Sequence, residues 1–167
     1  MRMILRSAAV LLAAAAAGCT GAPAAALQPG DEGYIRFTAT NDDLERRNRP
    51  VEAEDIRILL RAEDLLDGAA AWNRDDDRVC VDDERAGRRS LFCALHQASL
   101  EVAGEYRHRR PALQEVRFAI EDATGGRAFE HRLRDFNNLP ETDFDAVKRV
   151  LRTARERAAV RLDHTGG

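Results

Sequence analysis

Lysine is almost missing from this chain: Lys148 is the only one among 26 basic residues, and the 29 acidic residues leave a formal charge of −3. Without a basic excess there is no general electrostatic grip on nucleic acid. Arginine in place of lysine reads as the habit of a GC-rich genome rather than as a phosphate-binding design. No apolar run approaches the roughly 20 residues that a membrane-spanning helix needs. Cysteine occurs three times, which leaves room for at most one intramolecular disulfide. No internal repeat is visible, which argues against a stacked-repeat architecture.

What is present begins with an export signal. Arg2 and Arg6 precede a short apolar stretch, Ala8 to Ala17, that ends in small residues, the pattern of a cleaved leader and not of a membrane anchor. Ala16-Ala17-Gly18-Cys19 resembles the lipobox of bacterial lipoproteins, which implies lipidation of Cys19 and cleavage before it. Ala22-Pro23-Ala24 offers an ordinary signal-peptidase cut instead. Either cut implies an extracytoplasmic protein. Thr20 behind Cys19 lacks the aspartate that retains some lipoproteins at the inner membrane, so the resemblance implies an outer-membrane lipoprotein facing the periplasm, the alternative being a soluble periplasmic protein. Cleavage before Cys19 removes 18 residues and leaves 149, and the loss of Arg2 and Arg6 takes the charge to −5. That length suits one domain.

The expected organisation is a signal peptide over residues 1–18, a tether over 19–33 rich in alanine, glycine and proline, and a single domain over 34–164. The fold class expected is mainly α: a small helical bundle with a disulfide-pinned polar loop and a possible short N-terminal strand at Tyr34–Thr40. Ile56, Leu59, Leu60 and Leu66 give a helix over Val51–Asp67 with Pro50 at its start and Gly68 as its stop. Leu91, Leu95, Ala98 and Val102, flanked by Phe92, Leu100 and Ala103, give a central helix covered on most of its circumference, with Ser90 as N-cap and Gly104 as stop. Residues 72–89 show no sustained period and read as a long polar loop. Ala112–Thr124 reads as a helix, although Val116, Phe118 and Ile120 also alternate like a hairpin strand whose partner would be Phe129, His131 and Leu133. Phe129–Phe136 reads as a short helix. Thr142 with Asp145 forms a capping box for a last helix running to about Leu162.

The segments Trp72-Asn73-Arg74, Asp77-Arg-Val-Cys80, Ser90-Leu-Phe-Cys-Ala-Leu95, His108-Arg-Arg-Pro-Ala-Leu-Gln-Glu-Val-Arg117 and His131-Arg-Leu-Arg-Asp-Phe-Asn-Asn138 resemble a family of small, uncharacterised proteobacterial proteins. The resemblance covers about residues 53–160 and implies a mostly helical fold, with no activity or site to carry over. More distantly the chain is similar to a second uncharacterised bacterial group with a Cys-Ala-Leu-Gly-Ala helix and an Asn-Asp pair. Here His96-Gln97 and Asn137-Asn138 stand in those places.

With Cys19 lipidated or removed, Cys80 and Cys93 remain, and an even pair in an oxidising compartment reads first as a disulfide. The enzymatic alternative makes Cys93, near a helix N-terminus, the nucleophile of a hydrolase of peptide or cell-wall amides, with His131 as base and Asp135 or Asn137 as orienter. Asn73, Asp75, Asp77, Val79 and Glu84 match ligand positions of a calcium loop, but Arg78 stands where that loop needs glycine. His96, His108 and His131 have none of the compact spacing of a zinc site. Arg107-His108-Arg109-Arg110 contrasts with the acidic remainder and is a candidate to hold a phosphate or an anionic polymer. Asn137-Asn138 before Pro140 reads as turn chemistry that also offers ligand contacts. The function expected is that of a non-catalytic envelope lipoprotein, without a cofactor, anchored to the membrane through Cys19, whose partner is an envelope protein or an anionic polymer and not nucleic acid.

Overall fold

The computed structural model describes residues 49–165, so the tether, Cys19 and the expected strand at Tyr34–Thr40 lie outside the described residues. Six α-helices follow in order: α1 (Ala53–Leu65), α2 (Cys80–Arg85), α3 (Leu91–Ala103), α4 (Pro111–Ala123), α5 (Arg132–Asn137) and α6 (Phe144–Thr165), with a single 3₁₀ turn at Ala69–Ala71. Among the described residues there is no strand, only an isolated bridge between Trp72 and Arg89. The hairpin alternative for 112–133 is therefore set aside in favour of helix, because Pro111 occupies the first turn of α4 and Gly125 and Gly126, both at positive φ, end it.

Apolar residues at helical spacing decide how these elements pack. Ile58, Leu59 and Ala62 of α1 lie against Leu91, Leu95 and Ala98 of α3, and Val147, Leu151, Ala154 and Ala158 of α6 close the other side with Leu113, Val116 and Ile120 of α4. Each of the large side chains is fully enclosed, which contributes about 1.5–3 kcal/mol apiece. Leu60 and Leu100, expected on the buried arcs, are instead 44% and 45% exposed. A 3.6-residue period brings only one face of a helix to its neighbours, and these two fall past its edge.

The helix ends show where local chemistry and tertiary contacts agree. Ser90 caps α3, its Oγ accepting from the Cys93 N–H at 3.1 Å, and Gly104 ends it in the left-handed region at φ 71°, where a Cβ is disfavoured. α1 starts later than Pro50 suggests. Its cap is Glu52, in a reciprocal arrangement with Asp55. α6 is capped by Asp143, whose Oδ1 accepts from Ala146 N at 2.7 Å; the cap falls one residue after the expected Thr142, which is buried, and Ala146 has no side chain to complete a box. Lys148, the lone lysine, donates to the carbonyls of Glu63 at 2.8 Å and Leu66 at 3.1 Å, satisfying the C-terminal end of α1 with a cation.

Candidate functional site, a cationic cleft beside a buried amide

The segment expected as a featureless polar loop has internal order. Cys80 opens the short helix α2 and is joined by a disulfide to Cys93 on α3, with 5.2 Å between the Cα atoms. Cys93 is 2% exposed. Its thiol is therefore tied up, and a nucleophilic role would first require reduction. The other residues of the expected hydrolase set have partners of their own. Asp135 accepts from the His131 backbone N–H at 2.8 Å and from the Arg134 side chain. Burial alone would raise its carboxyl, but these donors outweigh it and hold the group below the ordinary aspartate value.

Asn137 is fully buried and every polar atom of its amide is used. Oδ1 accepts from Trp72 Nε1 at 2.8 Å and from the Leu91 N–H at 3.0 Å, while Nδ2 donates to the carbonyls of Asn73 and Arg74 at 3.0 and 2.9 Å and to Asn138 Oδ1 at 3.1 Å. Asn138 in turn accepts from Asp76 N and donates to Asp76 O, at 2.8 and 2.9 Å. This pair, expected as turn chemistry with room for a ligand, instead fastens residues 73–76 to the helices.

Two of the calcium-loop side chains, Asn73 and Asp77, are occupied by the segment itself. Asn73 donates to Asp83 at 2.6 Å and accepts from Asp75 N, Asp77 accepts from Val79 N at 2.8 Å, and Glu84 is exposed on α2. Among the described residues no three His, Cys, Asp or Glu side chains converge as metal ligands, which also leaves His96, His108 and His131 apart. His96 stacks instead with Tyr106, ring centres 4.9 Å apart, and with Phe92 at 5.9 Å. Asp76, unremarked in the sequence, is only 4% exposed. Its Oδ1 accepts from Arg78 N at 2.7 Å and its Oδ2 has no partner at hydrogen-bond geometry. Burial pushes its carboxyl above the ordinary range, opposed by the Arg78 N–H and by the pull of the Ser90 hydroxyl.

The basic tetrad divides. Arg110 is 10% exposed and pairs with Glu54 and, at 3.2 Å, with Asp55, whose carboxylate also accepts from Ala112 N at 3.1 Å and from Glu52 N. It ties the start of α4 to the start of α1 and is not available to a ligand. Arg107 pairs with Glu105 on the surface. His108 and Arg109 line a cleft of about 450 Å³.

That cleft brings together residues remote in sequence: Arg78 from the disulfide-pinned segment, Phe92 from α3, Tyr106, His108 and Arg109 from the α3–α4 connection, and Arg117 from α4. Its far side is Phe129 with His131, Arg132 and Arg134 at the start of α5. Arg132 pairs with Glu121 at 3.1 Å and Arg134 with Asp135 at 2.7 Å. Arg78, Arg109 and Arg117 form no ion pair among the described residues. Arg78 sits at φ 67°, uncommon for a residue with a Cβ, and its guanidinium lies 5.5 Å from the centre of the Phe92 ring. Arg117 donates to the His108 carbonyl at 2.9 Å and meets the His108 ring at 3.1 Å, neither of them a carboxylate. Desolvation lowers its pKa from the ordinary arginine value, only partly offset by Tyr106. The Tyr106 hydroxyl is pushed up by burial, with Arg117 opposing.

Sequence reasoning missed Arg78 and Arg117. Arg117 did carry a signal, since it falls four residues after Leu113 and three before Ile120, within the apolar stripe of α4. A charge set into a core-facing stripe is costly unless something answers it.

Fold and cleft together define an all-helical, disulfide-tied domain with a cationic, aromatic-walled recess. The chain belongs to a family of proteins of unknown function, DUF6197, whose sequence profile matches residues 50–157. No curated protein matches it, and no solved structure does.

Proposed function

We propose that this protein is a non-catalytic envelope module that binds an anionic group in the cleft between α3, α4 and α5. The observation that carries this reading is the convergence of Arg78, Arg109 and Arg117, none with a carboxylate partner, on one recess walled by aromatic rings. Arg117 is partly desolvated and Arg78 and Arg109 are exposed beside it, so the three guanidiniums can offer paired N–H donors to a carboxylate or phosphate. The volume lies within the range of small-ligand sites. Placement in the envelope is supported by the Arg2/Arg6 leader, by the Gly18-Cys19 pair and by a disulfide, which belongs in an oxidising compartment. A lipid on Cys19 would tether the domain to the outer membrane.

Calorimetric titration of the purified full chain with inorganic phosphate and with benzoate tests the binding. Saturable binding that weakens with added salt and is lost in Arg117→Gln is expected. Identical heats from wild type and variant would refute it. Labelled fatty acid should enter the wild-type protein and not Cys19→Ala; label in neither would leave a soluble periplasmic protein.

A further inference from the structure

We propose that the occupant of the cleft is a phosphomonoester carried on a flat ring, an inference that rests on the anion-binding reading and names its ligand class. The charge balance selects the head group. Arg132 and Arg134 are answered by Glu121 and Asp135, whereas Arg78, Arg109 and Arg117 are not, and Glu130 is the one further carboxylate on the lining. Counting guanidiniums and carboxylates alone, the five arginines against Glu121, Asp135 and Glu130, the recess carries a surplus of two positive charges. A monoanionic carboxylate leaves one of them unanswered, whereas a phosphomonoester near neutral pH carries about −1.5 to −2 and three acceptor oxygens. Arg117, whose partners among the described residues include no carboxylate, gains most from such a group, because an ion pair in a desolvated setting is stronger than one at the surface.

The walls select the body. A bare phosphate would leave most of the recess to water. Phe92 and Tyr106 stand edge to face with ring centres 6.0 Å apart, backed by His96, and Phe129 faces them from the α4–α5 connection. These rings offer stacking surface that an isolated ion does not use. A ring and a phosphate on one small molecule would use both features at once.

The full chain is titrated with three probes: phenyl phosphate, inorganic phosphate and benzoate. Phenyl phosphate is expected to bind about tenfold or more tighter than either of the others, the factor that one stacked ring or one added charge supplies. Phe92→Leu should cut the affinity for phenyl phosphate by clearly more than that for inorganic phosphate, which loses only the support the ring gives Arg78. Arg109→Gln, on an exposed side chain that the fold does not need, should weaken both phosphates, and circular dichroism confirms that each variant is folded. Equal affinity for benzoate and phenyl phosphate would overturn the phosphomonoester while leaving anion binding in place. Equal affinity for the two phosphates would overturn the ring. Failure of all three probes to bind would overturn both this inference and the reading beneath it.

Discussion

Arg110 caps α4 and Arg117 lies within it, yet the protein treats them in opposite ways. Arg110 is enclosed against two carboxylates, Glu54 and Asp55, and those carboxylates are themselves engaged with α1 and α4. Arg117 is partly desolvated against a carbonyl and rings with no counter-charge. The same contrast separates two regions. Around Asn137 every donor has an acceptor, while in the cleft three guanidiniums have no carboxylate partner among the described residues. A buried polar group that is satisfied fixes a structure, and one left short of partners stores binding energy for something else. On the proposed reading, the difference marks which part of the molecule is framework and which is surface for a ligand.

The framework side breaks most readily at Asn137. Asn137→Ala strands the Leu91 N–H and the Trp72 indole N–H in a dry interior and releases the Asn73 and Arg74 carbonyls, so a loss of about 4 kcal/mol is expected in urea unfolding. A loss under about 1 kcal/mol would mean that water replaces the amide, and the proposed framework would reduce to ordinary loop packing. Arg110→Gln comes next, at about 3 kcal/mol, because it leaves Asp55 buried beside an uncharged partner. If the variant is as stable as wild type, Arg110 is no more committed than Arg117 and the contrast between them fails.

How far this arrangement could be read in the sequence depends on how local each feature is. α3 was legible to its ends, since apolar spacing, a serine cap and a left-handed glycine are all encoded within a few residues. The Cys80–Cys93 pairing followed from counting cysteines in a chain read as exported. Asn137 was noticed for its neighbour and its proline, and its role was misjudged, because its partners lie 46 to 65 residues away and nothing periodic links them. The run 107–110 borders the cleft through His108 and Arg109. It could not show that adjacent arginines face different ways, since direction in a connection is set by the helices it joins and not by its own residues.

The disulfide lies between the two regions, two residues after Arg78, and removing it tests whether the framework alone holds the cleft together. Cys80→Ala/Cys93→Ala is expected to cost about 3 kcal/mol, the chain-entropy value for a loop of this size together with modest lost packing. The Asn137 amide bonds should survive and keep residues 73–76 in place, while Arg78 and the affinity for an anion suffer. Loss of stability with affinity untouched would show that Arg78 does not depend on the bond. Arg117→Gln has the smallest effect on the fold. Removing a desolvated charge without a counter-ion should leave stability within about 1 kcal/mol of wild type, in either direction. A loss as large as that of Arg110→Gln would place Arg117 with the framework and sink the contrast between the two regions.

Asp76 puts an exception inside the framework, and its pH dependence shows the size of that exception. Its carboxyl is raised above the ordinary aspartate value of 3.8 by burial. The folded protein therefore binds a proton more readily here than the unfolded chain does, and stability from this group falls as pH rises through the folded pKa. At neutral pH the full penalty is present; below the unfolded value it is gone. Asp76→Asn keeps an oxygen to accept from the Arg78 N–H and removes the charge that lacks a second donor. It should raise the Tm at pH 7, and the gain over wild type should shrink as the pH is lowered toward 4. A gain independent of pH would mean that the carboxylate is not what the interior resists. A loss at pH 7 would mean that the charge is answered by its surroundings, and Asp76 would then join Asn137 among the satisfied groups.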